Sequence, residues 1–576
     1  MLICCRQWFS SLIQLLEVLL LSLAQSPLPE IPRGTARVAR AAFPRSNPWL
    51  QLRDQLGVIY QDQAFASLFA SVGQPAIAPW RLALVTLLQF AEGLTDRQAA
   101  DADRSRWDWK YLLALPLADP GVDASVRCEF RERLVRGDAA TLLLERLLGV
   151  CTERKLLKSR GLQRTDATHV VAAARVLTRL ELVTATLQQA FNVLATVAPA
   201  WVVEQCPAEW GERYGARLSE LRLPQSAAAR TVWAEQVGAD GHQLLDWLWA
   251  AEAPSWLRHV PAIETLRGLW VQQFCSINHR WRWREADREG VPPAAVALRS
   301  PFDTAARYAE KRGHGWLGYK VQLTETCDLD VPRLITQVTT TVATTPDGAA
   351  LPAIHAALAA HEHLPKQHLV DAGYVSAANL DRSQREHQID LCGPPLEDTA
   401  WQARAEAGFA ASDFKIDWEK HEATCPSGHR SQSWHETTNH RGLRESKLKF
   451  ARGDCRACGV RAHCTRTAEQ RRRLTIPPEA EFKALAAARE RTKQPDYKAL
   501  YALRAGSEGS LSQAVRRSGL RRARYVGLTK THLQNVVTAT AVHLVRLLDW
   551  LTEASIGRTP QAAFAKLLCP VQVTTQ

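Results

Sequence analysis

The order of apolar and polar positions divides the chain into stretches of different period. From Leu50 to Leu148 apolar residues recur every three or four positions, as in Leu82, Val85 and Leu88 and again in Phe130, Leu134 and the run Leu142 to Leu148. That is the period of helices with one face turned to a core. Within this stretch Thr95-Asp-Arg-Gln98 has the spacing of a capping box, so a helix is expected to start there. The period changes at Gln163 to Val171, where short, β-branched and apolar residues surround Asp166, the pattern of a buried strand carrying an acid. Residues 172–279 return to helical spacing with many Trp and Leu, and then Gly318 to Thr326 and Leu334 to Val342 resume the alternation of two paired strands. His368-Leu-Val-Asp371 is another short apolar run ending in an acid, with Gly373 at the expected turn.

A chain of 576 residues exceeds what one core organises, so an α/β multidomain protein is expected. Apolar residues at 46% and charged residues at 23% exclude a disordered polyelectrolyte. The formal charge of +13, from 72 Lys and Arg against 59 Asp and Glu, points to an anionic partner, nucleic acid or membrane lipid. Thirteen cysteines, an odd and scattered set apart from Cys425, Cys455, Cys458 and Cys464, speak against a secreted disulfide framework. The apolar stretch Leu12 to Ala24 behind Arg6 resembles a signal peptide but is interrupted by Gln14 and Glu17 and is short for a membrane span. An N-terminal helix and a start assigned too far upstream are the two readings of it. Pro27 to Pro48, basic and Pro-containing, reads as a linker rather than packed structure.

Candidate chemistry sits at four places. The segment Arg104-Ser-Arg106-Trp107-Asp-Trp109-Lys110-Tyr111 interleaves cations with aromatics, a surface able to hold phosphates and stack on bases, or else core tryptophans beside a solvated face. Asp166 and Asp371 lie on separate strands of the same texture, and carboxylates gathered by a sheet repel one another unless cations sit among them. Two magnesium ions held by such carboxylates activate an attacking oxygen and stabilise a leaving one, which is phosphoryl-transfer chemistry. Cys455-Arg-Ala-Cys458 has a spacing suited to one tetrahedral metal, with Cys464 and Cys425 completing a four-thiolate zinc set and His429 as an alternative to one of them; reduced, metal-free thiols are the other reading. Arg516, Arg517, Arg521, Arg522 and Arg524 form a dense basic run that would neutralise phosphates without reading sequence.

The third acid belongs to Tyr501-Ala-Leu-Arg504-Ala-Gly-Ser-Glu508, where Tyr, two residues, Arg, three residues and Glu reproduce a signature of many insertion-sequence transposases. With Ala41-Ala-Phe-Pro-Arg45, Ser300-Pro-Phe-Asp303, Trp316-Leu-Gly-Tyr319-Lys320, Val370-Asp-Ala-Gly-Tyr374, Ala505-Gly-Ser-Glu508-Gly509 and Leu520-Arg-Arg-Ala-Arg-Tyr525-Val-Gly527, the chain resembles DDE transposases. The branch is the one with an InsH-type helical N-terminal domain, a ribonuclease-H-like core and a cysteine cluster before the final glutamate. The resemblance implies Asp166, Asp371 and Glu508 as catalytic ligands of two Mg2+ or Mn2+ ions, with Tyr501 and Arg504 in support. It implies double-stranded DNA as partner, as element ends and as target, and a homodimer or larger assembly without a membrane, in the cytoplasm of a bacterium beside the nucleoid. The chain departs from the signature at Val515, where a Lys is usual, and Arg516 or Arg517 would substitute for it.

The expected layout is an extension and linker over 1–47, an InsH-type DNA-binding domain over 48–150, core segments over 151–171, 301–395 and 481–555, a helical insert over 172–300, a cysteine-containing insert over 396–480 and a tail over 556–576. The interval from Asp371 to Glu508 is too long for a simple connection and so must hold an insert. Two other functions stay open at this level: a nuclease with the same core, and a decayed or domesticated DNA-binding protein.

Overall fold

This computed structural model describes residues 30–45, 47–277, 280–405, 408–440, 442–467 and 471–552, together with Leu23. The rest of the apolar N-terminal stretch and the tail 556–576 lie outside the described residues. The chain divides into two compact units: one takes the described residues up to Leu157 with Leu329–Ile335 and those from Val536 onward, the other Lys158–Asp328 and Thr336–Asn535. Among the described residues no helix is long and apolar enough to cross a membrane.

The N-terminal unit is helical, as the spacing predicts. Helix Pro79–Ala91 is buried along almost its whole length, so it serves as the centre against which amphipathic neighbours close. Thr95 and Gln98 form the expected reciprocal cap on Asp96–Ser105. One expectation fails: the segment read as a linker contains helix Arg33–Ala42. Its Ala39 packs with Leu50 and Tyr111, and Thr35 Oγ1 donates to Leu115 O at 2.7 Å. The prolines that suggested a loop stand at its borders, Pro32 as N-cap and Pro44 just beyond the end, and the Ala- and Arg-rich run between them is a good helix former.

The second unit is built on a mixed sheet of six strands, β1 (Leu162–Val171), β2 (Arg307–Lys311), β3 (His314–Thr326), β4 (Ile335–Val342), β5 (Gln367–Leu369) and β6 (Asp390–Cys392). The spatial order is β2-β3-β1-β5-β6, with β4 also paired to β3. β1 runs antiparallel to β3 and parallel to β5, which runs parallel to β6. The two strands expected around Gly318 and Leu334 are β3 and β4. Gly318 at φ +149° opposes Val171, and a Cβ there would meet Val170 O at 2.2 Å, so only glycine lets β3 cross β1 this closely.

Between β1 and β2 stand helices Arg179–Val197, Ala227–Trp249 and Pro261–Gln273, closed over Leu187, Val237, Leu266 and Trp270. The helical reading to residue 279 overruns by a few positions, because Phe274–Ile277 pairs with Arg280–Trp283 as a short hairpin. Between β6 and the Glu508 helix lies a second insert. It contains β7 (Lys415–Asp417) paired with β8 (Glu422–Thr424), and β9 (Ser431–Thr438), β10 (Arg444–Phe450) and β11 (Arg473–Ile476) in one small sheet. Its core is Phe414, Leu448, Phe450, Leu474 and Ile476.

Candidate active site

Strand register brings the two aspartates together. In the parallel pair, Leu162 to Arg164 lie opposite Gln367 to Leu369, and two residues further along each chain stand Asp166 and Asp371. Asp166 Oδ1 accepts from Ala167 N–H at 2.8 Å, and Asp371 Oδ1 accepts from Gly373 N–H at 2.8 Å. Arg504 Nη2 lies 3.2 Å from Asp166 Oδ2 and 3.9 Å from Asp371 Oδ2, so one guanidinium faces both acids. Ser507 Oγ donates to the same Asp166 oxygen at 3.1 Å. Burial raises the Asp166 carboxyl above its usual range and Asp371 adds to the rise, against the opposing pull of Arg504 and the hydrogen bonds.

Two aromatic hydroxyls border this pair. Tyr374 is 1% exposed, its Oη has no hydrogen-bond partner among the described residues, and burial together with Asp347, Asp166 and Asp371 holds its hydroxyl well above the usual phenol range. Tyr501 stacks on Tyr497 with ring centres 5.7 Å apart, and burial raises its hydroxyl too, Arg504 opposing and the two aspartates adding.

Glu508 lies in the first turn of helix Gly506–Ser518, one residue beyond Ser507. The helix is anchored by its neighbours in sequence. Ser510 Oγ donates to Glu325 Oε2 at 2.5 Å, and Glu325 pairs with Arg164 at 2.6 Å, both ions 2% exposed. Arg164 also donates to Leu503 O, and a Cβ on Gly506 would fall 2.2 Å from its Nη1, so the bare glycine lets the helix start directly over the guanidinium. Glu508 itself is exposed, and among the described residues no group of three or more His, Cys, Asp or Glu side chains is set to hold a metal ion. The geometry therefore unites Asp166 with Asp371 and places Glu508 on the helix whose Ser507 reaches Asp166, without drawing all three acids together. The donor set still suits a hard divalent cation: carboxylate oxygens beside a buried hydroxyl, in a place that here needs the charge of Arg504.

Beside Asp166 opens a groove of about 540 Å³, lined by His169, Lys311, Arg312, Trp316, Lys320 and Arg521 among others. The β2–β3 hairpin supplies one wall, with Lys311 and Arg312 at its tip just before Gly313. Arg521 forms another, its Nε donating to Thr168 Oγ1 at 2.9 Å. The backbone there is fixed, since Val171 N–H donates to Arg521 O and Ala523 N–H to Val171 O, each at 2.8 Å. His169 lies 5.5 Å from the Trp316 ring and is held below its usual pKa, first by burial and then by Arg521 and Lys311. Lys320 is paired with Asp347 at 3.0 Å. Sequence reasoning picked out Arg521 and quoted Trp316 within a family-like stretch, but gave no role to Lys311, Arg312, His169 or Trp316; the signals for them were that stretch and a Lys-Arg-Gly turn between two alternating strands. Arg516, Arg517, Arg522 and Arg524 are exposed on the same stretch of chain as Arg521.

In the N-terminal unit the cation and aromatic segment is mostly internal, against the expectation of a DNA-facing surface. Lys110 is 2% exposed, with Nζ donating to Leu117 O at 2.6 Å and to Asp119 O at 2.8 Å. Arg106 pairs with Glu92 and Asp108 and lies over the buried Trp109 ring. An ammonium enclosed by carbonyls cannot leave to meet a phosphate, so Lys110 is a structural cation. Arg104 and Trp107 do remain exposed.

Cys425, Cys455, Cys458 and Cys464 line one small cavity together with His429 and Asp454. All four are free thiols. Burial pushes the Cys464 thiol up to about 11, with the other three cysteines adding and Arg472 opposing.

No curated protein matches the chain. The family model for a transposase DDE domain matches residues 424–548, a stretch that includes the cysteines, Arg504 and Glu508. A second, for a transposase domain (DUF772), matches residues 37–133 in the helical unit. With one match on each side of the paired aspartates, the two family models indicate a DDE insertion-sequence transposase.

Proposed function

We propose that this transposase cuts DNA at the ends of its element and joins the freed ends to target DNA, with Asp166, Asp371 and Glu508 as the catalytic acids. The observation that carries the reading is the placement of Asp166 and Asp371 side by side on parallel strands, sharing Arg504, next to the helix that bears Glu508. The strand order and directions support a ribonuclease-H-like core. Asp166, Asp371 and Glu508 would hold two Mg2+ or Mn2+ ions, which supply activation of the attacking oxygen and charge stabilisation on the leaving one.

The chain's own residues do the rest. Lys311, Arg312 and Arg521 line the groove beside Asp166 and suit the phosphates of a strand running past it, while Trp316 and His169 offer flat faces for a base. Arg504 orients Asp166 and limits repulsion between the acids before substrate enters. In the first step water attacks the phosphodiester and the 3′ oxygen leaves with a proton. In the second, that 3′ hydroxyl attacks a target phosphodiester, one P–O bond forming as one breaks. No covalent link to the protein is needed, and holding two element ends calls for a dimer or larger assembly.

The test supplies DNA ends already cut to free 3′ hydroxyls, with target DNA and magnesium. A joined product supports the reading. Cutting of intact ends without any joining would assign a nuclease, and end binding without either reaction a decayed DNA-binding protein.

A further inference from the structure

The insert between β6 and the Glu508 helix has a small apolar core for its length, and such units commonly need a further crosslink or ion to hold together. Three backbone segments of it converge on one cavity. The first is the turn from Cys425 to His429, locked by Cys425 N–H to His429 O and Gly428 N–H to Cys425 O, each 2.9 Å, with Gly428 at φ +87°. The second is helix Arg452–Ala457, which carries Cys455 and ends at Cys458, where the Cys458 carbonyl accepts from Arg461 N–H at 3.2 Å. The third is helix Arg461–Cys464, whose last carbonyl accepts from Arg472 Nη1 at 2.9 Å and Gln402 Nε2 at 3.0 Å. Side chains already bridge the first two: Ser427 Oγ and Cys458 Sγ are 3.5 Å apart, and His429 Nδ1 and Asp454 Oδ2 are 3.8 Å apart.

We propose that Cys425, Cys455, Cys458 and Cys464 bind one structural zinc ion as four thiolates, clamping these three segments at the base of the insert. Four soft sulfur donors with one pair spaced by two residues select a tetrahedral ion of this kind over the hard cations suited to carboxylates. In this structure the sulfurs are not gathered at a common centre, so binding rotates side chains while the backbone turns keep their form. His429 faces Asp454 across the same cavity and is left outside the four-thiolate set. Zinc here would fix the insert that links the second catalytic aspartate to the helix of the third acid, yet the inference stands apart from any role in DNA cutting.

The experiment is elemental analysis of the full-length chain purified under reducing conditions. About one zinc per chain is expected from a closed four-ligand site. Cys458→Ser and Cys464→Ser should each cut the bound zinc at least tenfold, and His429→Ala should retain it. An intact chain with no zinc as purified, and none after incubation with zinc chloride and desalting, overturns the proposal. So does retention in Cys425→Ser together with loss in His429→Ala, which would exchange the ligand. If the serine variants do not fold, cobalt added to the intact metal-free chain decides: tetrahedral thiolate absorption supports the site and its absence overturns it.

Discussion

The Arg504 guanidinium stands 3.2 Å from the Asp166 carboxylate and is the closest positive charge to it among the described ion pairs. Because both groups are mostly buried, at 16% and 15% side-chain exposure, the contact is worth more than a surface pair, about 1.5–3 kcal/mol for a hydrogen bond to a charged group. Arg504→Ala is therefore expected to slow cleavage by roughly tenfold or more. Arg504→Lys should recover part of the loss, since it restores charge without the forked geometry. The check is the cleavage rate of each variant beside its melting curve. Full activity in Arg504→Ala would remove this residue from the site.

The Arg164–Glu325 pair lies under the start of the Glu508 helix. Removing one partner of a buried ion pair costs about 3–5 kcal/mol, because the other is left charged and dry. Glu325→Ala should show that loss in denaturant unfolding. Gly506→Ala should cost less stability but more catalysis, since its methyl displaces the Arg164 guanidinium and with it the helix start. If Gly506→Ala cleaves like the unaltered chain, the anchor does not position the acid.

DNA binding separates groove cations from structural ones. Lys311→Ala and Arg312→Ala should each weaken binding and reduce the slope of log K against log salt by about 0.9, the value of one lost phosphate contact. Lys110→Ala should leave that slope unchanged and lower the melting temperature, because its ammonium serves Leu117 and Asp119 carbonyls. A changed slope for Lys110→Ala would return it to the DNA-facing surface.

Acid should destabilise the fold through a buried histidine pair. His355 Nε2 meets His368 Nδ1 at 2.9 Å, and burial holds His355 at about 4, down from 6.5. The unfolded chain takes up the proton first, so the stabilising effect is complete above about 6.5 and is lost as pH falls toward 4, at about 1.4 kcal/mol per unit in that window. Melting at pH 7.5 and pH 5 should differ by at least that amount, and His355→Gln should remove the His355 share while leaving that of His368, which burial also holds well below its usual value. An intact chain equally stable at both would contradict the burial of neutral histidine.

Much of the fold was legible in the sequence because its signals are local. The strand around Asp166, the paired strands at Gly318 and Leu334 and the capping box at Thr95 follow from side-chain period and cap chemistry. The motif Tyr501 to Glu508 flagged Arg504 by resemblance. What stayed hidden depends on contacts distant in sequence. No periodicity indicates that Arg164 pairs with Glu325, or that the hairpin tip at Lys311 and Arg312 stands beside Arg521. The same limit misled the reading of Lys110, whose partners are carbonyls that sequence does not distinguish, and of the helix Arg33–Ala42, whose flanking prolines resemble those of a loop.

If the paired aspartates and Glu508 cut DNA with a divalent cation, cleavage of a fragment carrying the element's own ends, with magnesium or manganese, depends on all three acids. The intact chain should cut and join, while Asp166→Ala, Asp371→Ala and Glu508→Ala each fold, bind the ends and leave them uncut. Equal cutting by the intact chain and all three variants would contradict the assignment.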